Sequence, residues 1–158
     1  MKTAREYKDS LRDRNIKVYL KGELLDPKTL IDHPFVRGHV NSAAMTYALA
    51  STKEYEDLMT ATSHLTGRKI NRFTHIHQST DDLVKKVKML RMISQKTGTC
   101  YQRCVGFDAM NATYSVTYEC DQAMGTNYHE RFKKFLTYVQ DNDLMIAGAM
   151  TDVKGDRS

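Results

Sequence analysis

Helix-breaking residues are scarce in this sequence and are concentrated in one region. The chain has only two prolines and eight glycines in 158 residues, and both prolines stand near the N-terminus, in Asp26-Pro27 and His33-Pro34. Proline restricts the residue before it and cannot continue a helix. We therefore predict a loop from Leu24 to His39 and a mainly α-helical fold elsewhere, with little β-strand.

Local start signals and apolar spacing place the helices. Thr3 and Glu6 form a capping box, which predicts a helix that runs to about Arg14. Ser79 followed by Asp81-Asp82 predicts another helix start. A brief strand and turn are predicted over 18–23, two short helices over 42–50 and 51–59, and a loop over 67–77. A long helix is predicted over 100–119, and an amphipathic helix is predicted from 127 onward.

The helix after Ser79 carries apolar residues at helical spacing. Leu83, Val87, Leu90 and Ser94 lie on one stripe of this helix, with Val84 and Ile93 nearby, which predicts that the apolar stripe is buried. In the amphipathic helix near the C-terminus, the apolar residues at helical spacing are predicted to face the core in the same way. They are Tyr128, Phe132, Phe135, Leu136 and Val139.

Length and charge limit the classes of function. With 158 residues the chain has the length of one domain. No segment approaches the ~20 apolar residues of a membrane span, and the N-terminus lacks the apolar core of a signal peptide, so we predict a cytoplasmic protein with no membrane partner. The net charge is +5, and part of it lies in Lys85–Arg91. That run fits a solvated helix face better than an anion-binding one, and we expect no nucleic-acid partner.

Two cysteines stand four residues apart in the segment Thr97–Gly106. On the predicted helix, Cys100 and Cys104 would share one face, where two thiolates can bind one side of an iron–sulfur cluster or another soft metal centre. A cubane cluster takes four ligands, so the pair would form half a site. On spacing alone, small buried hydrophobic cysteines are the commoner interpretation, and we interpret Cys120 as structural. An odd total of three cysteines fits a reducing compartment.

Two further segments carry polar side chains that suit ligand binding. His75 and His77 would point the same way in a strand-like segment, as ligands or as hydrogen-bond partners of a cofactor. The alternative that we favour is a pair of partly buried histidines that order a loop and a helix start. From Thr151 to Ser158, backbone N–H groups and the Lys154 and Arg157 cations could hold a pyrophosphate or a flavin edge. The spacing there matches no glycine-rich fingerprint, so a surface turn is the simpler interpretation.

Several segments taken together resemble one family. They are His77–Leu83, Thr97–Gly106, Asn142–Leu144 and Ala149–Ser158. With these segments, the chain resembles the N-terminal part of the 4-hydroxybutyryl-CoA dehydratases, which belong with the flavin-dependent 4-hydroxyphenylacetate 3-hydroxylases. The resemblance covers essentially the whole chain, and the Cys-x3-Cys pair with Gln102 inside it is the part that is specific to the dehydratases.

The resemblance implies both a fold and a set of site residues. Residues 1–158 would be the N-terminal helical domain of an acyl-CoA dehydrogenase-like fold, truncated before the middle β domain and ending in the first flavin-contacting loop. One FAD and one [4Fe-4S] cluster per subunit are implied, with Cys100 and Cys104 as two cluster ligands and Gln102 near the substrate. The implied flavin-contacting residues are Thr151, Asp152, Lys154, Gly155, Asp156 and Arg157. Val153 stands where the family usually has proline.

The activity implied by the resemblance is the dehydration of 4-hydroxybutyryl-CoA to crotonyl-CoA in fermentation, with vinylacetyl-CoA isomerase activity, in a cytoplasmic homotetramer. Flavin would supply one-electron oxidation, and the cluster a Lewis-acidic iron for the departing hydroxyl. In this family the other two cluster ligands and the catalytic base lie beyond these residues, so we expect the isolated chain to be inactive. Two alternatives stay open: a flavin-dependent aromatic hydroxylase-like relative without a cluster, and a helical fragment without catalysis.

Overall fold

Six α-helices make up most of the described structure. The computed structural model describes residues 1–14, 16–148 and 155. The helices are α1 (Ala4–Arg12), α2 (Arg37–Ala50), α3 (Glu56–Met59), α4 (Thr80–Thr97), α5 (Cys104–Met124) and α6 (Tyr128–Asp141). The strands are β1 (Val18–Leu20), β2 (Glu23–Leu25), β3 (Thr60–Thr62) and β4 (Lys69–Asn71), and short 3-10 turns cover Leu30–Asp32, Lys53–Tyr55 and Arg72–Thr74. The prediction of a mainly helical fold is confirmed. Of the helices described, none combines the length and the apolar character that crossing a membrane requires.

Capping interactions fix the starts of α1 and α4. Thr3 Oγ1 accepts a hydrogen bond from the Glu6 N–H at 3.2 Å, and the Glu6 carboxylate accepts one from the Thr3 N–H at 2.7 Å. Ser79 Oγ accepts a hydrogen bond from the Asp82 N–H at 3.2 Å. Because these signals act within one turn of the chain, both predicted helix starts are confirmed.

Two short antiparallel hairpins were not fully predicted from the sequence. β1 pairs with β2 across the predicted turn, and β3 pairs with β4, with Thr60 opposite Asn71. The partner strands β2 and β4 lie in segments 24–39 and 67–77, so the prediction of loop throughout these segments is wrong. Strands of three residues give too little alternation to be recognised from one sequence.

The helix predicted over 42–50 begins earlier than expected. Helix α2 starts at Arg37, and Val36 precedes it without a side-chain capping hydrogen bond, so the sequence carries no start signal at this point. The helix predicted over 51–59 is observed as a 3-10 turn that runs directly into α3.

Buried apolar side chains form three clusters. The largest joins α2, α3, α4 and α5 and contains Leu49, Ala50, Met59, Phe73, Met89, Ile93, Tyr101 and Phe107. In the second, Tyr7 of α1 stacks on Tyr47 of α2 with ring centroids 4.7 Å apart. The third contains Leu136 and Val139, which are fully buried on α6 as predicted.

The predicted buried stripe on α4 is wrong for two of its members. Leu83 and Val87 are 48% and 61% exposed, whereas Met89 and Ile93 are fully buried. Apolar residues occur on more than one face of this helix, so its packing partners α2 and α3 decide which face is buried. On α6, Phe135 is likewise 46% exposed although its neighbours are in the core.

A buried arginine joins α3, β3 and α4. The Arg72 side chain is 4% exposed. Its Nε donates to the Leu58 carbonyl at 2.8 Å, and its Nη2 donates to the Asp57 and Thr60 carbonyls at 3.0 and 2.7 Å. The last carbonyls of a helix have no intrahelical donor, so Arg72 satisfies the end of α3. Its Nη1 donates to Asp82 Oδ1 at 3.0 Å, which ties that end to the first turn of α4.

The Asp82 carboxylate accepts several of the hydrogen bonds at the start of α4. Besides the Arg72 donor, it accepts hydrogen bonds from the Gln78 N–H at 3.0 Å and from His75 Nε2 at 3.2 Å. Burial alone would raise the pKa of Asp82, but these hydrogen bonds outweigh burial and hold the pKa well below its usual range. Burial lowers the pKa of His75, against the opposing effect of Asp82, so the ring is neutral at pH 7.

Replacing Asp82 with Asn should destabilise the protein strongly. The substitution leaves the buried Arg72 without its counter-charge, and breaking such a pair costs about 3–5 kcal/mol. The matched control is Asp81→Asn, because Asp81 is 69% exposed and pairs with Lys85 at the surface; its loss should cost less than about 1 kcal/mol. Urea unfolding followed by circular dichroism measures both free energies, and equal losses in the two variants would contradict the role of Asp82.

Stability should fall as the pH is lowered from 7 to 5. The unfolded chain binds a proton on His75 near its usual pKa of about 6.5, whereas burial keeps the folded ring neutral to a lower pH. Protons therefore favour the unfolded state in this window. Burial also lowers the pKa values of His64 and His77, which act in the same direction.

The variant His75→Gln tests this pH dependence, because glutamine keeps a donor for Asp82 but does not titrate. Its urea midpoint should change less between pH 7 and pH 5 than the wild-type midpoint does. A variant whose midpoint shifts as much as that of the wild type would show that His75 does not contribute.

Candidate functional site

The Cys-x3-Cys pair lies where helix α4 gives way to helix α5. We call residues Gly98–Arg103, which connect the two helices, the cysteine loop. Gly98 and Gln102 both adopt positive φ angles, of 60° and 64°, which a right-handed helix does not accommodate. Helix α5 therefore begins only at Cys104. The predicted helix start at Cys100 is wrong, and so is the inference that a shared helical face brings the two thiols together.

Side chains of the cysteine loop alternate between the core and the surface. Tyr101 and Arg103 are 6% and 1% exposed, whereas Cys100 and Gln102 are exposed and Cys104 is half-buried. The two buried side chains thus hold the loop. Gln102, the residue predicted to lie near the substrate, stands between them, and Cys100 and Cys104, the predicted metal ligands, stand on either side. This arrangement leaves the Gln102 amide accessible to a ligand.

Arg103 anchors the loop most deeply. Its guanidinium lies over the rings of Tyr47 and Phe73, 4.5 and 4.7 Å from their centroids, and its Nη1 donates to Thr46 Oγ1 at 3.1 Å. Cation–π contacts of a desolvated guanidinium contribute about 2 kcal/mol or more, which offsets part of the cost of burying it. The backbone next to Cys104 is thereby fixed relative to α2.

Tyr101, the second anchor, packs with its ring centroid 5.9 Å from that of Phe73. Burial, together with the nearby Cys104, raises the pKa of Tyr101 to about 12, so the phenol stays neutral at physiological pH. The buried Tyr101 ring therefore supports the loop by packing in the core.

The chain beyond α6 crosses the start of α5 at close range. We call residues 144–148 the exit segment. A Cβ atom on Gly106 would overlap the carbonyl group of Ile146, so the two backbones approach each other only because glycine lacks a Cβ. Gly106 lies in the first turn of α5 and is buried. The exit segment is therefore packed against the same helix start that carries Cys104.

The exit segment ends against the residue that follows Cys104. A Cβ atom on Gly148 would overlap the side chain of Val105, so this contact is also as close as glycine permits. Residues 151–158, which are predicted to contact a flavin, follow shortly in the sequence. The structure thus packs the exit segment, which precedes the predicted flavin-contacting residues in the sequence, against the first turn of α5, where Cys104 stands.

Most of the predicted flavin-contacting residues lie outside the described residues. These are Thr151, Asp152, Lys154, Asp156 and Arg157. Gly155 is described and is exposed. The role of all six in binding a flavin stays a prediction.

The described residues supply at most two thiol donors to a metal centre. Cys100 and Cys104 are both free thiols, and within residues 1–14 and 16–148 no group of three or more Cys, His, Asp or Glu side chains could hold an ion. Cys120 lies on the same helix as Cys104, about 24 Å further along the axis at 1.5 Å per residue, and its Sγ is 3.7 Å from Met124 Sδ. Cys120 therefore cannot share an ion with Cys104, in agreement with its structural interpretation.

The two histidines singled out in the sequence have different surroundings. His75 donates to Asp82, as described above. His77 lies edge-on to Phe107 with ring centroids 5.0 Å apart, and its backbone N–H donates to Asn111 Oδ1 at 2.9 Å. These contacts agree with the favoured interpretation, in which the histidines order a loop and the start of α4.

Sequence reasoning missed Arg103, Gly106 and Gly148 as parts of the site. Gly106 does carry a signal, because glycine inside a helix costs about 1 kcal/mol relative to alanine and such a position usually reflects close packing. Arg103 carries none, since arginine is almost always exposed and nothing in the pattern marks this one as buried.

Known proteins match this chain over nearly its whole length. The family model described as 4-hydroxyphenylacetate 3-hydroxylase N terminal matches residues 3–158. The chain is 56% identical over 155 residues to the 4-hydroxybutyryl-CoA dehydratase/vinylacetyl-CoA-Δ-isomerase of Clostridium aminobutyricum; the match covers 98% of this chain and 31% of that protein.

Solved structures match the fold as well. The oxygen-tolerant archaeal 4-hydroxybutyryl-CoA dehydratase from N. maritimus gives a TM-score of 0.91 at 51% identity, over 99% of this chain and 30% of that one. The oxygenase component (HpaB) of 4-hydroxyphenylacetate 3-monooxygenase, complexed with FAD and 4-hydroxyphenylacetate, gives a TM-score of 0.69 at 20% identity. This match covers 92% of this chain and 29% of that one. At that identity the likeness shows the fold alone. The chain spans about a third of the length of these relatives and corresponds to their N-terminal portion.

Replacing Gly106 with Ala should destabilise the protein and loosen the exit segment. The added Cβ would overlap backbone atoms of Ile146, and overpacking of this kind costs roughly 1–3 kcal/mol. Urea unfolding measures the loss of stability, and hydrogen exchange followed by mass spectrometry should show faster exchange in residues 144–148.

The matched control is Gly38→Ala, in helix α2. A Cβ atom on Gly38 meets nothing within 4 Å, so alanine there should be neutral or stabilise the protein by up to ~1 kcal/mol. Similar effects of the two substitutions would show that the exit segment does not depend on Gly106.

Proposed function

The chain belongs to the 4-hydroxyphenylacetate 3-hydroxylase N-terminal family, and we propose that it forms the N-terminal part of a 4-hydroxybutyryl-CoA dehydratase. The proposed enzyme is a lyase that converts 4-hydroxybutyryl-CoA to crotonyl-CoA and also has vinylacetyl-CoA isomerase activity. The observation that carries the proposal is the anchored cysteine loop, which presents Cys100 and Gln102, with Cys104 half-buried, beside the exit segment. The 56% identity to a dehydratase/isomerase supports the same reaction.

The cysteine loop has the chemistry that a [4Fe-4S] cluster requires. Thiolates are the usual ligands of such clusters. Cys100 is a free thiol on the cysteine loop and Cys104 is a free thiol at the first position of α5, and buried side chains lie next to both. Ligands that are fixed by packing favour a defined metal geometry. A cubane cluster takes four protein ligands, so two more would come from outside these residues.

The flavin assignment depends on the path of the exit segment. Packing of Gly148 on Val105 directs the chain past the cysteine loop, and the residues that follow are those assigned to the flavin. They are Thr151, Asp152, Lys154, Gly155, Asp156 and Arg157. The family model that matches this chain is described as 4-hydroxyphenylacetate 3-hydroxylase N terminal, and the HpaB oxygenase of a 4-hydroxyphenylacetate 3-monooxygenase was solved in complex with FAD, so FAD is the flavin that we propose.

In this proposal the residues of the chain bind and orient the reacting groups. When bound, the cluster would supply a Lewis-acidic iron and FAD would accept electrons during C–H activation. The Gln102 amide has both donors and an acceptor, which suits a hydrogen bond to the hydroxyl or the thioester carbonyl of the substrate. Its positive φ of 64° costs on the order of 1–3 kcal/mol, and the buried residues on either side maintain it.

The other two candidate functions have weaker support. An aromatic hydroxylase without a cluster would leave Cys100 and Cys104 without a role, and the HpaB oxygenase is 20% identical to this chain, against 56% for the dehydratase. The alternative of a helical module without catalysis applies to the 158-residue chain on its own, because we expect the isolated chain to show no turnover. The whole enzyme would act on acyl-CoA as a cytoplasmic homotetramer in fermentation.

Iron analysis of cysteine variants tests the proposal. In the full-length protein, produced and purified without oxygen, Cys100→Ser and Cys104→Ser should each lose most of the iron, because each removes one of four cluster ligands. Turnover of 4-hydroxybutyryl-CoA should fall by more than about 100-fold, since changes that only support metal ligands already cost 10- to 100-fold.

The matched control is Cys120→Ser, which should keep wild-type iron, FAD and turnover, because Cys120 lies far along α5. Iron retained in both Cys100→Ser and Cys104→Ser would overturn the assignment of the ligands. Wild-type protein that contains FAD but no iron would favour the hydroxylase-like alternative.

A further inference from the structure

A second buried ion pair lies behind the cysteine loop, and the function proposed above gives no role to the pairing of its two members. Arg103 Nη2 lies 3.8 Å from Asp143 Oδ1, and the two side chains are 1% and 4% exposed. Arg103 belongs to the cysteine loop, and Asp143 lies between the end of α6 and the exit segment. The pair therefore connects, through the core, the two segments that the proposed function places at the cofactors.

Asp143 is held in place by contacts with distant parts of the chain. Its Oδ2 accepts a hydrogen bond from the Lys2 N–H at 2.9 Å, and its carbonyl accepts one from the Tyr47 hydroxyl at 3.2 Å. Tyr47 also carries the Arg103 guanidinium on its ring face, so the two charged residues share one neighbour. The position of Asp143 is therefore coupled to the N-terminus through Lys2 and to α2 through Tyr47.

The pair is incompletely hydrogen-bonded. A separation of 3.8 Å is too long for a hydrogen bond, and in the described part of the chain Arg103 Nε, Arg103 Nη2 and Asp143 Oδ1 have no hydrogen-bond partner. A buried pair of this kind adds little to stability, because apolar residues in its place are often as stable or more so. What such a pair can provide is a defined relative position of the segments that carry its two members.

We propose that Arg103 and Asp143 form a latch that sets the position of the cysteine loop relative to the exit segment. Arg103 stands directly between Gln102 and Cys104, so a displacement of its backbone moves both residues. Arg103 and Asp143 are positioning residues, since neither would touch the cluster or the substrate. The importance of the latch for catalysis rests on the proposed function, whereas the coupling of the two segments is a property of this chain.

The latch predicts reciprocal and local effects on the two segments. In the 158-residue chain, Asp143→Asn removes the charge but keeps the side-chain shape, and the thiol of Cys104 should then react with iodoacetamide about threefold faster or more. Cys120, which is also half-buried, is the internal control and should react at the wild-type rate. In the reciprocal variant Arg103→Met, amides of residues 144–148 should exchange with solvent about threefold faster or more, while those of α6 should not change.

The double variant Arg103→Met/Asp143→Asn separates a latch from two independent defects. Effects within one coupled pair do not add, so the double variant should expose Cys104 no more than the more severe single variant does. Additive effects, unchanged Cys104 reactivity in Asp143→Asn, or equal acceleration at Cys120 would each overturn the latch.

Two further results keep this test independent of folding and of the proposed function. If Arg103→Met does not fold, the Cys104 and Cys120 rates in Asp143→Asn alone decide between a latch and a general loss of stability. A full-length wild-type protein without iron would reject the proposed function, and the thiol and exchange rates of the 158-residue chain would still report on the latch.

Discussion

Burial of the Arg103 guanidinium is the constraint from which the geometry of the cysteine loop follows. A charge in the core needs compensation, and the Tyr47 and Phe73 rings provide it at 4.5 and 4.7 Å. With Arg103 directed inward, the preceding residue turns through a positive φ, and helix α5 cannot begin before Cys104. The exposure of Cys100 and Gln102 is therefore a consequence of what the loop buries on either side of them.

The parts of the fold that sequence alone predicts are those set by interactions within one or two turns of the chain. The starts of α1 and α4 belong here, because the Thr3 and Ser79 hydroxyls cap backbone N–H groups three positions further along the chain. The buried face of α4 depends instead on the neighbouring helices, so Leu83 is exposed and Ile93 is buried despite similar hydrophobicity. The pairing of β3 with β4 is likewise supported by a contact beyond the two strands, because Arg72, which directly follows β4, donates to the Thr60 carbonyl of β3.

In the candidate site, the sequence predicts which residues have suitable chemistry but does not predict how they are arranged. Cys100 and Cys104 stand out by their chemistry, and their assignment as ligands does not require the helix on which the sequence placed them. The position of the exit segment could not be predicted, because it depends on a contact between Gly106 and Ile146 that spans some forty residues of sequence. In the proposed function, Cys100 and Cys104 supply half of a ligand set and Gln102 supplies an accessible amide, which is what a domain would contribute to a site that is completed by other residues.

The most direct test of the proposed half-site is anomalous diffraction at the iron absorption edge from crystals of the full-length protein grown without oxygen. The proposal predicts strong anomalous density bonded to both Cys100 Sγ and Cys104 Sγ, with its remaining ligands from residues outside this chain. Crystals in which the iron density is absent, or lies away from both sulfur atoms, would contradict the claim that the cysteine loop is half of a cluster site.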